Sequence, residues 1–109
     1  MQTTQSIENI KNTINSNLCV MVYFSAPTCN VCHALKPKLL EALDSNFDDF
    51  KIESVDISLT EEIAPYFNVY SIPTVLVFLD SKEFLRKSRH MSVNEVINEI
   101  KRPYEIMKS

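Results

Sequence analysis

The sequence predicts an α/β domain, residues 1–109, built on a mixed four-stranded sheet with helices on both faces. Two continuous apolar runs, 19–24 and 74–79, are rich in β-branched and aromatic residues, as in central strands that are covered on both sides. Segments with helical spacing of apolar residues alternate with the strand segments. This alternation favours parallel strands joined by right-handed crossovers.

The predicted elements follow the order αβαβαββα. Ser6 and Ser92 are candidate N-caps of the first and last helices, and Glu95 completes a capping box with Ser92. Pro103 is expected to end or kink the last helix. The elements between these helices are a strand at 19–25, a helix at 30–46, a strand at 51–57, a short helix capped by Thr60 and ending at Phe67, and strands at 74–79 and 83–88.

The turn at 80–82 joins the last two strands as a hairpin. We therefore expect three parallel strands and one antiparallel edge strand, in the sheet order 51–57, 19–25, 74–79, 83–88. The sequence contains no glycine, so each turn that needs a positive φ must use Asn, Asp or a strained residue. Asn68 is the expected left-handed residue at the end of the short helix.

Composition and charge exclude several classes of function. A net charge of −3, with scattered basic residues, argues against a nucleic-acid partner. The absence of glycine excludes glycine-rich phosphate loops and dinucleotide fingerprints. The first apolar run, 18–24, is too short to cross a membrane, and no basic leader precedes it. We expect a cytoplasmic monomer that contacts neither membranes nor nucleic acids.

Cys29 and Cys32 form a C-x-x-C pair that follows a buried strand and opens a helix, a context that favours redox chemistry. Free N–H groups at the helix N-terminus stabilise a thiolate at Cys29, and helical spacing brings Cys32 within bonding distance. Cys29 is therefore the predicted nucleophile, exposed to substrate, and Cys32 the more buried resolving thiol. The third cysteine, Cys19, is expected to be a buried packing residue.

Two segments of the chain resemble the thioredoxin family. The segment Phe24-Ser25-Ala26-Pro27-Thr28-Cys29-Asn30-Val31-Cys32, with Pro37 after it, is similar to the active-site segment of that family. Ser71-Ile72-Pro73-Thr74, followed by an apolar strand, is similar to its cis-proline segment. The resemblance covers about residues 6–100 and implies a thioredoxin fold. It also implies a thiol–disulfide oxidoreductase that acts on protein disulfides and receives electrons from a reductase or another dithiol.

The resemblance assigns positions around the cysteines. It implies that Pro73 is cis and faces the pair, and that the backbone of Ile72 binds substrate chain as a strand edge does. Thr28 stands where the family usually has a tryptophan and is the third residue expected to contact substrate. The family's extra N-terminal strand should be short or missing, because only five polar residues precede the first helix.

Several residues depart from the family pattern. The usual residues between the cysteines, Gly-Pro, are replaced by Asn30-Val31, and usual glycines are replaced by Ser81 and Arg89. Tyr23 takes the place of a buried aspartate, and Ser54 that of its lysine partner.

The family's aspartate is thought to accept the proton of the resolving cysteine. A phenol with a pKa near ~10, raised further by burial, is a poor base at neutral pH. We expect slow resolution at Cys32, with His33 or Asp56 as other candidate proton acceptors.

Three other interpretations of these residues remain open. Residues 29–33 also match C-x-x-C-H, the attachment pattern of c-type haem, for which Met21, Met91 or Met107 could supply a sixth ligand. Cys29, Cys32 and His33 supply part of a zinc site, although no second group of ligands is visible. A thioredoxin-fold binding module with a dormant thiol pair is the third alternative. For the favoured oxidoreductase we expect neither a cofactor nor a metal.

Overall fold

The computed structural model describes residues 6–108. The expectation that no long strand precedes Ser6 therefore falls outside the described residues. The helices and strands are α1 (Ile7–Ser16), β1 (Cys19–Ser25), α2 (Asn30–Asn46), β2 (Phe50–Asp56), α3 (Ile63–Tyr66), β3 (Thr74–Leu79), β4 (Lys82–Ser88) and α4 (Val93–Lys108).

The predicted N-caps of the first and last helices are confirmed. The Ser6 hydroxyl accepts a hydrogen bond from the Asn9 N–H at 3.1 Å, and the Ser92 hydroxyl accepts one from the Glu95 N–H at 3.0 Å. Each bond satisfies an amide that has no partner within its own helix. Because these contacts join residues only three positions apart, the starts of α1 and α4 can be predicted from the sequence alone.

One predicted helix boundary is wrong, and the structure decides a second that the sequence left open. Residues 61–62 form a turn, so α3 begins at Ile63 and not directly after Thr60, whose carbonyl accepts a hydrogen bond from the Ile63 N–H at 3.3 Å. Of the two outcomes expected at Pro103, the end of the last helix does not occur, because Pro103 lies inside α4, which continues to Lys108. The ring of Tyr104 lies 4.7 Å from that of Phe47, and this aromatic packing holds the helix beyond the proline.

The sheet has the predicted order, β2-β1-β3-β4, but its antiparallel strand is a different one. β1 and β2 are parallel, whereas β3 is antiparallel to both β1 and β4, so the odd strand is internal and not at the edge. Thr74 at the start of β3 lies opposite Phe24 at the end of β1. The chain therefore enters β3 at the same end of the sheet where β1 and β2 both finish, without first returning along the sheet, and β3 must run in the opposite direction.

The two faces of the sheet bury separate hydrophobic clusters, as predicted for a sheet covered by helices on both sides. Side chains of β1 alternate between the clusters. One face packs against α2 and α4 and contains Cys19, Met21, Tyr23, Cys32, Leu39, Leu43, Val96, Ile97 and Ile100. The other packs against α1 and α3 and contains Ile10, Ile14, Val20, Val22, Phe24, Ile63 and Ala64. Tyr23 and Cys32 therefore share one cluster, on the side of the sheet covered by α2.

Between residues 6 and 108, four residues adopt a positive φ, and since the chain has no glycine all of them carry a side chain. They are Asn68 at 58°, Asp80 at 54°, Ser81 at 69° and Arg89 at 57°. Asn68 follows α3, and Asp80 with Ser81 forms the hairpin turn between β3 and β4. Within residues 6–108, none of the helices is long and apolar enough to cross a membrane.

Candidate active site

The cysteine pair lies at the start of α2, at the end of the sheet where β1 terminates. Cys29 is the N-cap residue, and its N–H donates to the carbonyl of Ala26 at 3.0 Å. A disulfide joins Cys29 to Cys32, whose Cα atoms are 5.2 Å apart. The N–H of Cys32 donates to the sulfur of Cys29 at 3.1 Å. This amide and the helix N-terminus favour negative charge on the Cys29 sulfur when the pair is reduced.

The two sulfurs differ in access to solvent. Cys29 is half-buried and lines an open cleft, whereas Cys32 is only 1% exposed and belongs to the hydrophobic cluster under α2. A substrate can therefore approach Cys29 but not Cys32. This asymmetry agrees with the expected division into a nucleophile and a resolving thiol.

The cleft beside Cys29 has a volume of about 410 Å³. It is lined by Cys29, Asn30, Val31, Ile72, Pro73, Arg89 and His90. The Ile72–Pro73 peptide bond is cis, as the resemblance implies. The carbonyl of Pro73 accepts a hydrogen bond from the Arg89 N–H at 2.8 Å, which ties the segment before β3 to the residue after β4. Three separate parts of the chain therefore meet at Cys29.

Three of the five predicted site residues line the cleft: Cys29, Ile72 and Pro73. Cys32 is buried, and Thr28 is exposed but is not among the residues that line the cleft.

Sequence reasoning did not assign Arg89 and His90 to the site, because they follow the cysteine pair by more than fifty residues. One feature of the sequence could have pointed to this part of the site: Arg89 stands at a position where the resemblance implies a glycine.

Tyr23 lies beneath the cysteine pair and is fully buried. Its hydroxyl donates to the carbonyl oxygen of Cys32 at 2.8 Å. Burial raises the pKa of the Tyr23 phenol to about 12. The phenol therefore stays protonated at neutral pH, as expected. It donates a hydrogen bond to a backbone carbonyl and cannot accept the proton of Cys32. Tyr23 and Ser54 are directly opposite each other in the β1–β2 register.

The other two candidate proton acceptors are engaged elsewhere. Nε2 of His33 lies 2.9 Å from the carbonyl oxygen of Pro27. Because a carbonyl can only accept, this nitrogen is a donor, which does not suit an iron ligand in the haem interpretation. The Asp56 carboxylate accepts hydrogen bonds from the N–H and the hydroxyl of Ser58, at 2.9 and 2.6 Å.

The remaining candidate ligands do not assemble into a metal site. Of the three candidate sixth ligands of a haem, Met21 is fully buried in the core, and Met91 and Met107 pack against the hydrophobic cluster under α2. Between Ser6 and Lys108, no three or more His, Cys, Asp or Glu side chains are grouped so that they could hold a metal ion.

Cys19 is fully buried at the start of β1, as predicted. Desolvation raises the pKa of its thiol to about 11. At neutral pH this thiol is protonated and inaccessible, so it is not a third redox group.

Comparison with known proteins identifies relatives along nearly the whole chain. The family model for thioredoxin matches residues 2–102. The chain is 34% identical over 101 residues to the thioredoxin-like protein YdfQ of Bacillus subtilis, covering 93% of this chain and 89% of that protein. It is 39% identical over 77 residues to protein disulfide-isomerase 1 of Caenorhabditis elegans, but spans only 16% of that longer protein.

A solved structure is similar to this chain in both fold and sequence. Thioredoxin 1 from Thermosipho africanus superposes with a TM-score of 0.73 at 33% identity, covering 83% of this chain and 99% of that one.

Proposed function

The chain belongs to the thioredoxin family, and on that premise we propose that it is a thiol–disulfide oxidoreductase that reduces or exchanges protein disulfides through Cys29 and Cys32. One observation carries the proposal. The half-buried Cys29 lines an open cleft while it is bonded to the fully enclosed Cys32. A pair placed for packing alone would have no reason to expose only one of its sulfurs.

In the proposed reaction the Cys29 thiolate attacks one sulfur of a substrate disulfide, forming a mixed disulfide and releasing the other substrate sulfur as a thiolate. Cys32 then loses its proton, and its thiolate attacks the Cys29 sulfur. That step closes the Cys29–Cys32 disulfide and releases the second substrate thiolate. Two electrons have then passed to the substrate, whose two thiolates take up protons.

The pair returns to the dithiol by the same exchange in reverse. The electrons come from a reductase or another dithiol, which becomes the disulfide. A reducing compartment such as the cytoplasm would keep this cycle running towards reduction of the substrate.

The cleft supports binding of an extended substrate segment. Ile72 precedes the cis proline and lines the cleft opposite Cys29, so its backbone is available to pair with a substrate strand. Val31 is 60% exposed at the same edge and offers an apolar contact to the substrate. Thr28, exposed beside Cys29, would contact the substrate outside the cleft.

Trapping the mixed disulfide tests the proposal. A Cys32→Ser variant should form a stable covalent adduct with a peptide that contains a disulfide, visible as a mass increase equal to the peptide. Cys29→Ser should form no adduct, and Cys19→Val should turn over like the unaltered protein because Cys19 is buried away from the cleft. If the unaltered protein fails to reduce the peptide and Cys32→Ser forms no adduct, the protein is a binding module with a dormant pair.

A further inference from the structure

Arg89 occupies an unusual position at the edge of the cleft. It directly follows β4 and has a φ of 57°, a left-handed conformation that is sterically unfavourable for a residue with a Cβ. Its N–H is held by the carbonyl of Pro73, so the backbone cannot relax without breaking that bond. The fold therefore keeps a long cationic side chain at a fixed point beside Ile72 and Pro73.

The cleft is basic although the molecule is acidic. The chain has a net charge of −3, yet the residues lining the cleft include Arg89 and His90 and no carboxylate. Among residues 6–108 the basic side chains that form ion pairs are Arg86, Lys87 and Lys108. Arg89 is not among them, and it is exposed. Its guanidinium is therefore available to a carboxylate brought by a substrate.

We propose that Arg89, assisted by His90, makes this cleft selective for protein disulfides that carry an aspartate or glutamate next to the attacked cysteine. The proposal rests on the proposed oxidoreductase function and names the substrate class of the same site. A substrate strand that pairs with the Ile72 backbone passes between the cysteine pair and Arg89. A carboxylate beside the attacked sulfur then meets the planar guanidinium, which binds carboxylates with two parallel hydrogen bonds. The His90 ring offers a further N–H donor.

The test compares three peptides with an internal disulfide that differ only in the residues flanking one cysteine, which are Glu, Gln or Lys. The rate of reduction by the pre-reduced protein is measured in a single turnover. Each rate is divided by the rate at which dithiothreitol reduces the same peptide. This division removes the effect of the flanking charges on the reactivity of the disulfide itself. We expect the Glu peptide to react about fivefold faster than the Gln peptide, as for one exposed ion pair, and the Lys peptide to react slowest.

Variants of Arg89 locate the source of the preference. Arg89→Gln and Arg89→Gly should both bring the Glu-to-Gln ratio close to one, and glycine suits the left-handed backbone, so that variant also controls for folding. Lys82→Gln removes a positive charge from the opposite end of β4, about 20 Å away, and should keep the preference.

The possible failures are distinguishable. If the unaltered protein reduces the Glu, Gln and Lys peptides at equal corrected rates, or if the preference survives in both Arg89 variants, the selectivity is overturned and the oxidoreductase function stands. Reduction of none of the peptides would overturn both.

Discussion

The hydroxyl of Tyr23 donates a hydrogen bond to the carbonyl oxygen of Cys32 across 2.8 Å, in the buried layer between β1 and α2. The contact joins the centre of the sheet to the first turn of the helix that carries both cysteines. Pro37, in the same helix, has no N–H and leaves the carbonyl of His33 without its usual helical partner. The Tyr23 bond therefore supports a helix start that the proline weakens.

The first prediction concerns the stability that this bond provides. Tyr23→Phe keeps the ring but removes the donor to the Cys32 carbonyl, so we expect the free energy of unfolding to fall by about 1–2 kcal/mol. Denaturant unfolding of the oxidised protein measures the change. Tyr70→Phe is the matched control, because Tyr70 is 79% exposed and its hydroxyl has only a long contact of 3.4 Å to Asn68. Equal effects of the two substitutions would contradict the assignment.

The second prediction concerns the rate at which the mixed disulfide is resolved. Tyr23→Asp places a proton acceptor beneath Cys32, and a positioned base speeds such a step by about 100-fold. We expect faster release of the second substrate thiol in a single turnover, with the first release unchanged. Tyr23→Asn is the control, because asparagine has nearly the size of aspartate but accepts no proton at neutral pH. This variant should resolve the mixed disulfide slowly. A folded Tyr23→Asp protein with the original resolution rate would show that proton removal from Cys32 is not limiting.

Alkylation of the reduced protein should distinguish the three cysteines. Cys29 is half-buried beside the cleft, whereas Cys32 is 1% exposed and Cys19 is fully buried. At neutral pH, iodoacetamide should therefore label Cys29 first, as followed by peptide mass mapping over time. Labelling of all three at equal rates would refute the roles assigned to them.

Stability should decline at alkaline pH because of Cys19. Burial raises the pKa of this thiol from 9.0 to about 11, so between these values the folded protein keeps a proton that the unfolded chain releases. The contribution is complete below pH 9.0 and is lost as the pH rises through about 11, on the order of 2 kcal/mol.

This loss is measured by denaturant unfolding of the oxidised protein at pH 8 and near pH 10.5. Cys19→Val removes the titrating group and should lose less stability over that interval. Tyr23, whose pKa rises from 10.0 to about 12 through burial, also begins to lose stabilisation above pH 10.0, but it does so equally in both proteins and cancels in the comparison. An identical pH dependence for the two proteins would contradict the prediction.

The hairpin turn offers a test of backbone strain. Ser81 has a φ of 69°, which glycine adopts without steric penalty, so Ser81→Gly should raise the free energy of unfolding by up to about 1 kcal/mol. Thermal or denaturant unfolding measures the gain. Lys82→Gly, one residue later in the extended strand β4, should lower stability instead, since glycine there only adds freedom to the unfolded chain.

Local patterns predicted much of this fold. The caps at Ser6 and Ser92, the span of α2 and the buried strands follow from contacts between residues close in sequence. The direction of β3 could not be predicted from local patterns. It depends on which end of β1 the chain has reached when Thr74 pairs with Phe24. The continuation of α4 past Pro103 depends on Tyr104 packing against Phe47, which belongs to another part of the chain.

The sequence by itself determined that Cys29 and Cys32 come together as a pair, because a helix start and a spacing of three residues are sufficient to bring two sulfurs within bonding distance. Only the tertiary structure decided what surrounds them. Tyr23 reaches the Cys32 carbonyl because β1 passes under α2, and Arg89 reaches the cleft because its N–H binds the Pro73 carbonyl. Such contacts join residues far apart in the chain, and their geometry is set by the packing of the sheet and helices rather than by any local pattern.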